Sequence, residues 1–113
     1  MFTVRIMDFV ESLSDSRAIW IISDQVLRSS SSIGANYRAA IRSKSARDFL
    51  NKLKIVEEET DETLYWLEIL EKRRIGSGTV LASLIQEAHE LLAIFVTSIK
   101  TVKSNMILRN SKK

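Results

Sequence analysis

Hydrophobic residues recur at alternating spacings of three and four along most of the chain, which is the pattern of helices that bury one face. The clearest stretches cover residues 45–72 and 79–103. The segment RRIGSGTV between them contains Gly76 and Gly78, and we expect glycine to supply the left-handed turn that ends the first helix. Each stretch therefore predicts one long helix.

The first half of the chain predicts two more helices. One apolar face extends over residues 2–13, and a break with good N-cap residues follows at residues 14–16. The run SSSSIG at residues 29–34 contains poor helix formers, but the apolar pattern stays in phase across it. We therefore predict a continuous second helix over residues 15–41.

These elements predict an all-α, antiparallel up-down four-helix bundle with a short first helix. We expect a single domain over residues 1–103, followed by a basic tail over residues 104–113 that is frayed. A groove left beside the short helix would be a candidate surface for another subunit.

The amino-acid composition excludes several kinds of functional site. The 113 residues include no cysteine and one histidine, His89, so disulfide scaffolds and thiolate metal sites are excluded, and histidine-based sites are disfavoured. We predict no catalytic, cofactor-binding or metal-binding residues, no small-molecule substrate and no enzymatic activity. No signal peptide or membrane-spanning stretch stands out, so the expected location is the cytoplasm.

Polar residues interrupt the apolar face of helix two, and we call them, with their expected partners on helix three, the polar seam. A small-ligand pocket is one interpretation, and a buried network that fixes helix pairing is the one the pattern favours. Its members are Gln25, Arg28, Ser29, Ser32, Asn36, Glu62 and Thr63.

Basic residues surround the turn between helices two and three, whereas the second half of helix three is acidic. A neighbouring subunit that offers its acidic half to this basic half would make a head-to-tail contact that closes into a ring. Phosphate groups of a nucleic acid are the alternative partner. The residues are Arg38, Arg42, Lys44, Arg47, Lys52 and Lys54.

Large aromatic residues lie off the main apolar faces. Tyr65 and Trp66 are adjacent, so both cannot face the core. Trp20 and its neighbour Ile19 on helix two cannot both face it either. Aromatic residues at the flank of a bundle are typical of subunit contacts. We therefore predict that Trp20, Tyr65 and Trp66 contribute to an interface and that the bundle is not a monomer.

Two strings carry a family resemblance. QVLRSSSSIGANYRAA and SKSARDFLNKLKIVEEETDETLYWLEIL resemble the bacterial four-helix-bundle proteins of the 23S rRNA intervening-sequence protein family. The matching positions are Gln25, Arg28, Ser29, Ser32, Ile33, Ala35 and Asn36 in the first string, and Phe49, Glu62, Thr63, Tyr65, Trp66, Leu67 and Leu70 in the second.

The resemblance implies an antiparallel bundle, self-association that reaches a homopentamer in several members, and no enzymatic activity. One departure is Ala39, where the family commonly has an acidic residue. The sequence therefore predicts a non-catalytic, ring-forming assembly or binding module. The alternative is an accessory protein that binds structured RNA or DNA through the basic turn.

Overall fold

Four α-helices make up the computed structural model, which describes residues 1–111. They are α1 (Phe2–Glu11), α2 (Arg17–Ile41), α3 (Ala46–Lys72) and α4 (Gly78–Ser111). Helix α3 packs against both α2 and α4, and α1 packs against the other sides of α2 and α4. Helix α1 therefore lies diagonally opposite α3. The predicted all-α four-helix bundle with a short first helix is confirmed.

Serine hydroxyls set the starts of the three long helices. The side chain of Ser16 accepts a hydrogen bond from the backbone N–H of Ile19 at 3.1 Å, and that of Ser45 accepts from Asp48 at 3.1 Å. Ser77 makes the equivalent bond to Val80 at 3.3 Å. Each bond satisfies a backbone donor that the first turn leaves free, so these helices begin within two residues of the predicted positions.

The end of α3 differs from the prediction. Arg74, not a glycine, takes the left-handed conformation after the helix, with φ of 53°, while the N–H of Ile75 donates to the carbonyl of Leu70 at 3.0 Å. Gly76 follows with φ of 79°. A Cβ at position 76 would lie 2.6 Å from Leu13 Cδ2 and under 3 Å from the Phe9 ring. Glycine is therefore needed where the loop presses against the end of α1.

The main hydrophobic core lies in the half of the bundle that α1 covers. Full burial of a leucine or isoleucine side chain is worth about 1.5–3 kcal/mol. Burial of Val26 in this cluster and of Ile33 in a separate one can therefore hold the serine-rich run between them in a helix. Its buried members are Ile6, Phe9, Val26, Leu64, Leu67, Leu70, Leu81, Leu84 and Ala88.

Helix α4 continues well past the predicted end at residue 103. It reaches Ser111, so the expected frayed tail is helical over residues 104–111. The physical reason is packing, since Val102 and Met106 lie against a second core cluster that contains Leu50 and Leu53. The predicted fraying of residues 112–113 lies outside the described residues.

Helix α4 is also unusually apolar. Within residues 1–111 it is the one helix whose length and composition would let it cross a membrane, with a mean hydropathy of 1.4 in its most apolar window. Core helices have the same composition, and α4 does bury Leu81, Leu84 and Ala88. Only 22% of that window is buried, however, so most of this apolar helix lies at the surface of the single chain.

Two glycine substitutions should have opposite effects. Gly76→Ala should lower the free energy of unfolding by about 2–4 kcal/mol, because it combines left-handed strain with overpacking against Phe9 and Leu13. Gly34→Ala is the control, since its methyl group would meet nothing within 4 Å and alanine favours a helix by about 1 kcal/mol. Urea unfolding measures both. Equal effects would contradict the proposed role of Gly76.

Candidate functional site

The buried part of the polar seam is a pair of hydroxyl groups between α2 and α3. Ser29 and Thr63 are fully buried, and the Thr63 hydroxyl donates to Ser29 Oγ at 2.7 Å. The carbonyl of Glu59 lies 2.8 Å from the same hydroxyl, and Ser29 can donate to the carbonyl of Val26 at 3.4 Å. The two groups satisfy each other, so this part of the seam joins helices and offers no pocket for a ligand.

Arg28 occupies the edge of the same interface. Its guanidinium pairs with Glu59 at 3.2 Å and with Glu62, and its Nε donates to Gln25 Oε1 at 3.3 Å. The Arg28 side chain is 47% exposed. The prediction that the whole seam is buried is therefore wrong for Arg28, because its guanidinium stays at the margin where water solvates it. Glu62 Oε2, by contrast, is buried.

The remaining members of the seam stay on their own helix. Asn36 donates from Nδ2 to the backbone carbonyl and the hydroxyl of Ser32, each at 2.9 Å, and within residues 1–111 it makes no hydrogen bond to α3. Sequence reasoning also missed Ser30, which is fully buried and donates to the carbonyl of Leu27 at 3.3 Å. A serine whose hydroxyl bonds to a carbonyl of its own helix needs no partner on another helix. The sequence therefore gives no signal that Ser30 is buried.

A strong charge asymmetry separates the two ends of the bundle. The end formed by residues 37–56 and 96–111, which we call the basic end, carries nine cationic side chains and one carboxylate, Asp48. Asp48 is itself paired with Lys52 at 3.4 Å. The basic end comprises the six predicted residues Arg38, Arg42, Lys44, Arg47, Lys52 and Lys54, and, from α4, Lys100, Lys103 and Arg109.

Helix α4 thus adds three cations that the sequence analysis did not group with the turn. They join it because α4 runs antiparallel to α3, which brings Val102 and Met106 against the start of α3. Five of the six predicted cations are exposed, and Lys52 is half-buried. The basic end is therefore a surface formed by three helices.

The three predicted interface aromatics have different environments. Trp20 is 70% exposed and Tyr65 58% exposed. Trp66 is half-buried against the main core, and its ring centroid lies 4.9 Å from that of Tyr65. Its indole N–H is buried and has no hydrogen-bond acceptor among the described residues. Trp20 and Tyr65 are thus available to a partner, whereas Trp66 supports the core.

An open groove lies between α2 and α4 beyond the N-terminal end of α1. Helix α1 has 10 residues and α2 has 25, so α1 fills only part of the space between α2 and α4. The cavity that remains has a volume of about 650 Å³. Its buried residues include Ile33 and Phe95, and its more exposed lining residues are Ser31, Gly34, Ala35, Tyr37, Arg38 and Ile94.

The described part of the chain contains no candidate metal site. No group of three or more histidine, cysteine, aspartate or glutamate side chains is arranged to hold a metal ion there. The acidic side chains Glu59 and Glu62 are instead engaged by Arg28.

Comparison with known proteins identifies the family of this chain. The family model described as 23S rRNA-intervening sequence protein matches residues 1–97. The chain belongs to this family. A crystal structure of a protein with unknown function from the S23 ribosomal protein family of Bacteroides thetaiotaomicron VPI-5482 superposes with a TM-score of 0.80 and 36% sequence identity. The similarity covers 88% of this chain and 92% of that one.

No curated protein matches the chain. Family membership therefore establishes the fold and the relationship to the 23S rRNA-intervening sequence proteins, and the matching crystal structure is itself of a protein with unknown function. Function has to be inferred from the surfaces of this chain.

A double-mutant cycle tests the structural role of the Ser29–Thr63 pair. Thr63→Val and Ser29→Ala should each lower the free energy of unfolding by about 1–2 kcal/mol, and the double variant by less than the sum, because the two hydroxyls share one bond. Urea unfolding measures the cycle. Thr101→Val is the control, since Thr101 is exposed and bonds only within α4. Strict additivity would show that the pair does not couple α2 to α3.

Proposed function

We propose that the protein is a non-catalytic module that self-associates into a closed homo-oligomer. The observation that carries this proposal is the exposure of large apolar side chains, above all Trp20 at 70% and Tyr65 at 58%. Tryptophan and tyrosine are enriched in the cores of protein interfaces. Five subunits is the number that the resemblance to the family implies.

The composition of α4 supports the same proposal. A helix that is apolar on more than one face is normally buried on more than one face, yet α4 is mostly exposed in the single chain. Val80 and Ile94 lie on its surface with 42% and 58% of their area exposed. A second protein surface would cover them without requiring a membrane.

The charge distribution favours one orientation of neighbouring subunits in the proposed assembly. The basic end has an excess of positive charge, whereas residues 57–72 of α3 carry seven carboxylates and one lysine. A head-to-tail contact between unlike regions is heterologous, and it closes into a ring when the rotation between subunits allows. This type of contact weakens as salt screens the charges.

Charge reversal at the basic end tests the head-to-tail contact. Lys52→Glu with Lys54→Glu should shift the mass towards the monomer, because the changed surface would repel the acidic half of a neighbour. Light scattering at low and high salt measures the mass, with the ratio of absorbance at 260 and 280 nm recorded across the peak. Arg17→Glu is the control, since Arg17 is exposed at the first residue of α2, away from the basic end.

The wild-type protein should behave as a ring of about five subunits free of nucleic acid. A monomer at every salt concentration would overturn self-association. An oligomer that survives the Lys52 and Lys54 reversal unchanged would show that charge pairing at the basic end does not hold it together.

Nucleic-acid binding is the second candidate, and the nine-to-one charge ratio of the basic end is the observation that favours it. Exposed arginine and lysine side chains on three helices could contact successive phosphates, with an affinity that falls steeply with salt. The exposed Tyr37 lies next to Arg38 and could stack on an unpaired base.

Removing three arginines tests this candidate. Replacing Arg38, Arg42 and Arg47 together by alanine should abolish binding to structured RNA in fluorescence anisotropy at low salt. The control variant replaces Arg17, Lys72 and Arg73 by alanine, which removes the same charge away from the basic end. Equal affinities of the two variants would exclude the basic end as the phosphate-binding surface.

A further inference from the structure

A small cavity lies at the corner where α1 ends and α2 begins. Residues 10–23 alone bound it, and its volume is about 140 Å³. Val10, Leu13 and Ile19 form its apolar walls. Because pockets for drug-sized ligands measure about 300–1,000 Å³, this cavity has room for a single side chain and not for a helix or a cofactor.

Ser23 gives the cavity a buried polar group without a partner. Its side chain lines the cavity and is 7% exposed. The buried Ser29 and Ser30 bond to carbonyls of their own helix, whereas the Ser23 hydroxyl makes no hydrogen bond within residues 1–111. Buried polar groups are nearly always hydrogen-bonded, so the cavity is fitted to receive a polar group as well as an apolar stem.

The remaining groups around the cavity select a cation. Trp20 and Asp15 line it, and Glu11 and Asp24 are exposed one helical turn away from them. None of these carboxylates takes part in an ion pair among the described residues. Residues 10–24 include one cation, Arg17, which does not line the cavity. An indole face beside carboxylates attracts an ammonium or guanidinium group and repels phosphates.

The distance between the cavity and the basic end means that this chain cannot fill the cavity with its own basic end. Arg38 is the first cation of the basic end along α2, 18 residues beyond Trp20. At about 1.5 Å per residue this separation is about 27 Å, which is beyond the reach of an arginine side chain. A second copy of the chain offers the complementary surface, with nine cations and one carboxylate at its basic end.

We propose that this cavity, which we call the Trp20 pocket, receives a lysine or arginine side chain from the basic end of a neighbouring subunit. The stem of the incoming side chain packs against the indole of Trp20, and its charged group donates hydrogen bonds to Asp15 and to the Ser23 hydroxyl. This proposal rests on the proposed self-association and names the point at which one subunit holds the next.

Arg47 and Lys54 are the side chains of the basic end that suit this contact. Both are exposed, neither takes part in an ion pair among the described residues, and their spacing of seven puts them on one face of α3. Helix α3 is diagonal to α1, so this face and the Trp20 pocket lie on different sides of the bundle. Two different surfaces are what a heterologous, ring-closing contact requires.

A charge swap tests the contact. Asp15→Lys with Asp24→Lys should weaken association about tenfold or more, because the pocket would then repel its occupant. Adding Arg47→Glu and Lys54→Glu to the same chain should restore the wild-type mass in light scattering. The control swap uses Glu58→Lys with Asp61→Lys, two exposed carboxylates of α3, and the same addition should not restore its mass.

Substitutions of Trp20 test the chemistry of the pocket. Trp20→Leu keeps an apolar side chain but removes the aromatic face, and it should weaken association about 3–10-fold in a dilution series. Trp20→Phe keeps an aromatic face and should lose less. Since Trp20 is 70% exposed, both variants should fold, and circular dichroism checks that they stay helical. Equal losses in the two variants would show that the pocket does not recognise a cation.

The outcomes separate this inference from the proposed function. Restoration of the mass by the Asp15 and Asp24 swap alone supports the Trp20 pocket. An oligomer that the Asp15 and Asp24 reversal leaves intact, or a mass that only the α3 control swap restores, would overturn the pocket and leave self-association standing. Failure of both swaps to restore the mass would overturn the assignment of its occupant. A wild-type monomer at every concentration would overturn both proposals.

Discussion

Helix α3 is the element on which the rest of the bundle depends, because it packs against both other long helices. Its inward positions Leu53, Val56, Leu67 and Leu70 are fully buried, and between them Thr60 and Thr63 supply small hydroxyl side chains. The Thr63–Ser29 bond satisfies the polar atoms that come with this close packing. Small residues bring the backbones of α2 and α3 together, and the leucines on either side exclude water.

Helix α1 covers only one half of the bundle formed by the described residues. Where α1 lies over α2 and α4, nine residues form one continuous buried cluster. Beyond Phe2 the bundle has three helices, and its two smaller clusters are centred on Phe95 and on Leu53. Tyr37 leans over the gap, with its ring centroid 5.7 Å from that of Phe95. The half that α1 leaves uncovered is also the half that contains the basic end.

Much of this architecture follows from periodicity alone. The positions of α2 and α3 were predictable because their three-four pattern is long and because Ser16 and Ser45 are good N-caps. The left-handed Arg74 was not predictable, since nothing local marks it out. Glycine is needed at position 76 both by its own left-handed backbone and by the contact with Phe9 and Leu13, and that contact exists only in the folded bundle. The length of α4 was missed because Met106 gains its helical order from packing against α3.

The candidate surfaces were also predictable to different degrees, because some of their residues are close in sequence and others are brought together only by packing. The cations around the α2–α3 turn are close in sequence and could be grouped without a structure. Lys100, Lys103 and Arg109 join them only through the antiparallel packing of α4. Among the polar residues, the pattern correctly placed Ser29 with Thr63. It did not predict the exposure of Arg28, because the length of the arginine side chain lets its charged group reach solvent from the edge of the interface.

The exposed apolar residues and the charge asymmetry are best understood together. Apolar side chains such as Trp20 and Ile94 make association favourable but carry little information about orientation, since burial of apolar area is non-directional. The separation of a basic end from an acidic body restricts the orientations that neighbours can adopt. Salt would weaken the second effect and leave the first, so the proposed assembly would lose its defined geometry before it lost its tendency to associate.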